Sequence, residues 1–281
     1  MTPTTILRNF KQLTKFNYVG LPISMREQLT ANRTYYVRTD GSDSNNGLAN
    51  TSGGAFLTIQ KAINVVCGNL DLGQWSVTIQ VGDGTYTQSL VLYNWIGAGN
   101  VSIIGNETTP SNVTISTASN GFNVDGLSSI WYLSGMRITT SAGSSISISR
   151  GSVLRFQNLD FGSTPGNHFN IGSDGTIIVE GNYRISGGAT NRHFANFGGS
   201  VFFAAAATVT VTGTPAFTQF AIAHRGARII ANATVTYSGA ATGQRYEIRH
   251  NSVVFTAGVA TSTFFPGSTA GAVADGGAIY S

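Results

Sequence analysis

Residues 151–156 read GSVLRF, 175–180 GTIIVE, 199–204 GSVFFA, 226–231 GARIIA and 251–256 NSVVFT. A looser match begins at Gly126, and the starts then differ by 25, 24, 24, 27 and 25 residues. Counting three positions on from each of the last five starts gives Leu154, Ile178, Phe202, Ile229 and Val254. These are expected to stack as one interior apolar column, one member per coil.

A second register advances in step: SGMRIT (134–139), QNLDFG (157–162), GNYRIS (181–186), ATVTVT (207–212) and ATVTYS (233–238). Strand alternation puts Met136, Leu159, Tyr183, Val209 and Val235 inside, joined by Ile138, Phe161, Ile185, Val211 and Tyr237. Arg137, Asp160, Arg184, Thr210 and Thr236 then point outward. A third register runs through NHFNIG (167–172), NRHFANF (191–197), FTQFAIA (217–223) and RYEIRH (245–250). Three short strands per coil of this length match a solenoid repeat. Strands that recur without helices between them exclude βαβ units. The fold class expected is all-β, a right-handed parallel β-helix over 35–256.

Composition agrees. Charged residues make up only 10% of the 281, and 35 are glycine. In stacked strands like charges would meet at every rung, whereas Ser, Thr and Asn can stack and hydrogen-bond. The single cysteine, Cys67, excludes an intrachain disulfide. The net charge of +4 is concentrated before residue 35, in Arg8, Lys11, Lys15, Arg26 and Arg33 against Glu27. Without a basic run, residues 1–34 read as a docking arm and not as a nucleic-acid patch. No apolar run reaches membrane-spanning length, so no membrane insertion is expected, and no secretory leader is visible. Synthesis in a cytoplasm is the expectation.

Both ends of a solenoid need caps. Residues 58–67 supply one as a short helix: Thr58 is the N-cap, Phe56, Ile59, Ile63 and Val66 form its apolar stripe, and Gly68 ends it. Residues 257–281 are irregular chain with aromatic anchors, suited either to covering the last coil or to contacts between subunits.

Residues 35–66, YYVRTDGSDSNNGLANTSGGAFLTIQKAINVV, resemble the opening segment of right-handed β-helix proteins of the pectate-lyase-like superfamily. With TIQVGDGTY (78–86), VSIIGN (101–106) and the closing FFPG and GGAIY, the chain also resembles tail-associated and spike proteins of tailed bacteriophages and prophages. The resemblance implies a virion component made in the host cytoplasm. It further implies a homotrimer that engages host-surface polysaccharide, with residues 1–34 meeting other virion proteins. It carries over no catalytic motif.

Several groups suggest chemistry. Arg137, Asp160 and Arg184 share one outward register, either as a surface charge ladder or as a glycan-facing strip in which Arg meets acid groups and Asp meets hydroxyls. His168 and His193 lie 25 residues apart, and His224 and His250 lie 26 apart. They are either half-buried rung residues or a pair acting as acid and base, for which no charge partner is visible, and His168 and His193 are also candidate sugar contacts. Trp131 and Tyr132, with Trp95, offer faces for stacking on sugar rings or for rung packing. Hydrolysis of a glycosidic bond asks for two carboxyls about 5–9 Å apart in one cleft. Among Asp125, Asp160, Asp174, Glu180 and Glu247 no pair clearly shares register and face, so no catalytic residue is assigned. Asp40, Asp43 and Asn45 suit Asx turns as well as calcium, so no metal or other cofactor is assigned. The leading expectation is a virion protein of a tail spike, fibre or baseplate that attaches to glycans. A glycan-degrading lyase or hydrolase and a connector or head decoration without ligand are the alternatives.

Overall fold

A computed structural model describes residues 15–18, 21–24 and 26–281. The chain winds through three parallel sheets, of ten, seven and eight strands. One coil shows the order: Val101–Ile104 in the ten-stranded sheet, Val113–Thr117 in the seven-stranded sheet, Phe122–Asp125 in the eight-stranded sheet. Each strand pairs with its counterpart one coil on, so the sheets run the length of the solenoid. The expected parallel β-solenoid is therefore what forms.

Burial sets the register, because a slip of one residue would turn every side chain to the opposite face. In the ten-stranded sheet the interior column runs Val77, Val101, Trp131, Leu154, Ile177, Val201, Ile229, Val254. All of these are 0–1% exposed. Two members of the expected column are thus corrected. Ile178 and Phe202 point outward, in line with Ile230, Phe255 and Tyr280. The reason lies in the turns. Gly151 and Gly226 stand two residues before the paired Val153 and Arg228, whereas Gly175 and Gly199 stand one residue before Thr176 and Ser200. The turns absorb the difference and the strands stay in register.

The seven-stranded sheet keeps the expected columns through four coils, Met136–Leu159 and Tyr183–Val209 included. The fifth slips by two residues. Tyr237 lies beside Val209, and Val235 beside Ala207. Thr236 accordingly leaves the outward column of Arg137, Asp160, Arg184 and Thr210.

The cap helix spans Ile59–Asn69, and the Thr58 side chain accepts from the Lys61 amide at 3.2 Å. It runs through Gly68 and does not stop there. Asp43 fixes its start: Oδ1 accepts from the amides of Leu57 and Thr58, and Oδ2 from the Thr58 hydroxyl. Asn45 donates to Ser52 O and Ala55 O. These side chains are spent on the backbone, as Asx-type residues in a tight loop would be. Much of the expected docking arm, residues 1–14, 19–20 and 25, lies outside the described residues. Lys15–Tyr18 pairs antiparallel with Leu21–Ser24. From Arg26 onward the chain packs on the cap. Arg26 donates to Cys67 O and Leu70 O at the end of the helix, and Leu29 is buried. At the other end Ala272–Val273 and Ala278–Tyr280 extend two sheets. Phe264 and Phe265 close the core against Tyr237, and Phe265 also meets Phe220 and Tyr246.

Candidate functional site

The corner between the ten- and seven-stranded sheets is short in most coils. It takes one residue at 135, two at 157–158 and three at 180–182. At 105–112 it takes eight. This loop leaves the solenoid at Gly105, where a Cβ would lie 2.2 Å from Gly135 O, so the two corners touch as backbone. It folds down against the strands Met136–Thr140 and Leu159–Phe161. Its shape is held from within and from the previous coil. Asn106 Oδ1 accepts from the amides of Thr108 and Thr109 at 3.1 and 2.8 Å. Asp83 accepts from Asn106 Nδ2 and Asn112 Nδ2. Asn158, in the left-handed region at φ 48°, donates to Glu107 O at 2.6 Å. Asparagine tolerates that conformation better than most residues.

The loop forms the wall of a cleft of about 390 Å³ whose floor includes Asp160, Arg184 and Thr210, with Asn158 and Asn182 at the corner and Thr108 and Thr109 above. A second recess of about 440 Å³ continues past Asn158 and Asn182 to Glu107 and Gln157. Together they make one groove around the foot of the loop, sharing Asn158 and Asn182.

Asp160 is not a solvated rung, as a surface charge ladder would require. Its side chain is 2% exposed and Oδ2 accepts from Arg184 Nη2 at 2.8 Å, with Arg137 Nε 3.9 Å away. Among the described residues Asp160 Oδ1 and Arg137 Nε have no hydrogen-bond partner. The hydrogen bond to Asp160 raises the Arg184 pKa, so this guanidinium stays charged. The three residues expected to share an outward face do so, as paired neighbours. The Asn158 and Asn182 corner and the 105–112 wall were missed. The signal for them was in plain view: the insert ETTPSN interrupts a repeat whose other corners are only a few residues long.

No protein-family model, curated protein or solved structure matches this chain. The site is therefore defined by its own geometry.

The remaining sugar-contact candidates fall elsewhere. Trp131 is an interior residue, 0% exposed. Its indole N–H donates to Tyr93 O at 3.0 Å, and its ring meets Trp95 edge-on at 5.3 Å. It cannot stack on a sugar from there. Tyr132, next in the strand, points outward and is partly buried beside Ser134. His168 and His193 are corrected too, since both are wholly buried. Gly162 O can only accept, so His168 donates to it from Nε2 at 2.9 Å. Neutral His168 must then accept at Nδ1, from His193 Nδ1–H at 2.9 Å. His193 Nε2 is left to accept from the Tyr183 hydroxyl at 2.9 Å. The result is a one-way interior chain in which both imidazoles are neutral. Burial holds His168 down to about 4. Burial, with the neighbouring His168, holds His193 well below its ordinary value.

His224 and His250 meet edge-on at the end of the same register. His224 Nε2 lies 3.0 Å from Glu247. Among the described residues no cluster of three metal-binding side chains forms, and no helix is long and apolar enough to cross a membrane.

Proposed function

We propose that this chain is a rigid attachment component of a tailed-phage virion (a spike, fibre or baseplate part) that holds host-surface glycan in the groove around the 105–112 loop. The observation that carries the reading is the groove itself. Its lining mixes Asn, Thr, Asp160 and Arg184 with Pro110, Leu159 and Tyr183, its floor is a stack of β-rungs, and its wall is fastened by five hydrogen bonds that use the side chains of Asn106, Asn112 and Asn158. Saccharides are bound by such fixed arrays of hydroxyl, amide and charged partners, and a rigid array loses little entropy on binding. The resemblance of residues 35–66 to pectate-lyase-like β-helix proteins, and of the wider pattern to phage spike proteins, supplies the virion setting. Production in the host cytoplasm belongs to the same reading, as does docking to other virion proteins through residues 1–34.

Assembly as a homotrimer is part of the proposal. The outward line Ile178, Phe202, Ile230, Phe255 and Tyr280 gives apolar surface on the ten-stranded sheet, and Phe255 and Tyr280 are 37% and 57% exposed. Linking three grooves multiplies weak contacts into firm attachment.

The test is an array of bacterial capsular and lipopolysaccharide glycans probed with the full chain, its mass in solution measured alongside. Retention of a defined subset of glycans is expected. An array on which the folded protein holds nothing would remove the attachment reading.

A further inference from the structure

The charge balance of the cleft selects among glycans. Arg137 and Arg184 share the single carboxylate of Asp160, and among the described residues neither pairs with another acid. Two guanidiniums against one carboxylate leave one positive charge uncompensated beside the cleft floor. Arg184 lines that cleft with its side chain 46% exposed, while one of its amino groups is tied to Asp160. Among the described residues its other N–H groups have no partner and can meet a ligand. Thr108, Thr109, Asn182 and Thr210 add uncharged hydrogen-bonding groups, beside Pro110 and Leu159. Asn182 Oδ1 accepts from the Thr208 amide at 2.7 Å, which turns the amide NH₂ into its available donor. The neighbouring recess carries Glu107, whose carboxylate repels an anion there.

We infer that the cleft at Arg184 takes an anionic saccharide unit, a sugar bearing a carboxylate or sulfate, with its acid group on the Arg184 guanidinium and its hydroxyls on Asn182, Thr210 and the loop threonines. Asp160 is a positioning residue: its carboxylate fixes the direction of the guanidinium fork. A fork of parallel donors suits carboxylate and sulfate oxygens alike. This inference rests on the attachment reading and specifies its ligand.

Saturation-transfer NMR on the full chain tests it with four single sugars: glucose, glucuronate, galacturonate and glucose 6-sulfate. Signal is expected from at least one anionic sugar and not from glucose, and it should fade as salt screens the contact. The uronate and sulfate arms show which acid group the site prefers, and a signal from either supports the inference. Arg184→Gln should weaken the binding about tenfold or more. Because that change also disturbs Asp160, Asn182→Asp serves as the second variant. It keeps an oxygen for the Thr208 amide, adds a negative charge to the cleft, and should abolish the signal without moving the unfolding midpoint. Equal signals from glucose and the anionic sugars would overturn the inference, as would anionic signals that survive Asn182→Asp, or silence from all four. If the glycan array is positive in any of those cases, attachment stands and only the anionic assignment falls. If the array is empty as well, both fall.

Discussion

Trp131→Ala is expected to destabilise the protein by about 3–5 kcal/mol. Trp131 fills the interior column between Val101 and Leu154 and is fully buried. Truncation leaves a cavity that the stacked rungs cannot collapse into, because each rung is pinned to both neighbours. It also strips Tyr93 O of the indole N–H. Tyr132→Ala, one residue on and facing out, should cost about 1 kcal/mol or less, the usual range for a surface position. Urea unfolding of the two variants checks this. Glycan retention by folded Trp131→Ala should be unchanged. A variant that keeps wild-type stability yet loses glycan would put the indole at the surface and overturn its assignment to the core.

Stability should also fall as pH drops below about 6.5, the ordinary histidine pKa. In the unfolded chain His168 and His193 take up protons near that pH. In the fold, burial holds His168 down to about 4 and His193 well below its ordinary value. Below 6.5 the unfolded state therefore binds more protons, and each histidine costs up to about 1.4 kcal/mol per pH unit until its folded pKa is reached. A proton on His168 Nδ1 would break its bond from His193, and a proton on His193 Nε2 would force the Tyr183 hydroxyl to turn from donor to acceptor. Glu27, Asp40 and Asp125 have pKa values lowered by their arginine partners, so their contribution is lost only at more acid pH. The informative window is pH 7 to 4.5. His224, lowered by burial, adds a smaller slope in the same window. Urea midpoints for wild type and His193→Gln across that window decide the matter. The variant should show a clearly shallower decline. Parallel curves would mean that the buried pair does not control acid sensitivity.

How much of this was legible in the sequence follows from what each signal encodes. The repeat near 25 residues reports that the backbone returns to the same sheet, and the parallel sheets follow from it. It does not report how many residues the intervening turn consumes. Anchoring the frame on glycines placed Ile178 and Phe202 inside, because Gly175 and Gly199 sit one residue nearer their strands than Gly151 and Gly226 do. Alternation within a strand was the safer guide: Arg137, Asp160 and Arg184 do share a face. What alternation cannot show is cover from elsewhere in the chain. Asp160 is buried on an outward face because the corner at 105–112, laid down two coils earlier, folds over it and because two guanidiniums flank it. For His168 and His193 the rung reading holds and the sugar-contact reading fails. Here the interior supplies a carbonyl, a second imidazole and a phenol in series, and burial becomes tolerable.

The most direct test of the attachment account is a crystal structure of the full chain grown with the oligosaccharide it retains best from the array. The expected result is sugar density between the 105–112 loop and the Asp160–Arg184–Thr210 floor, with hydrogen bonds from Arg184 and Asn182. Sugar seated on another face of the solenoid, with this groove empty, would contradict it.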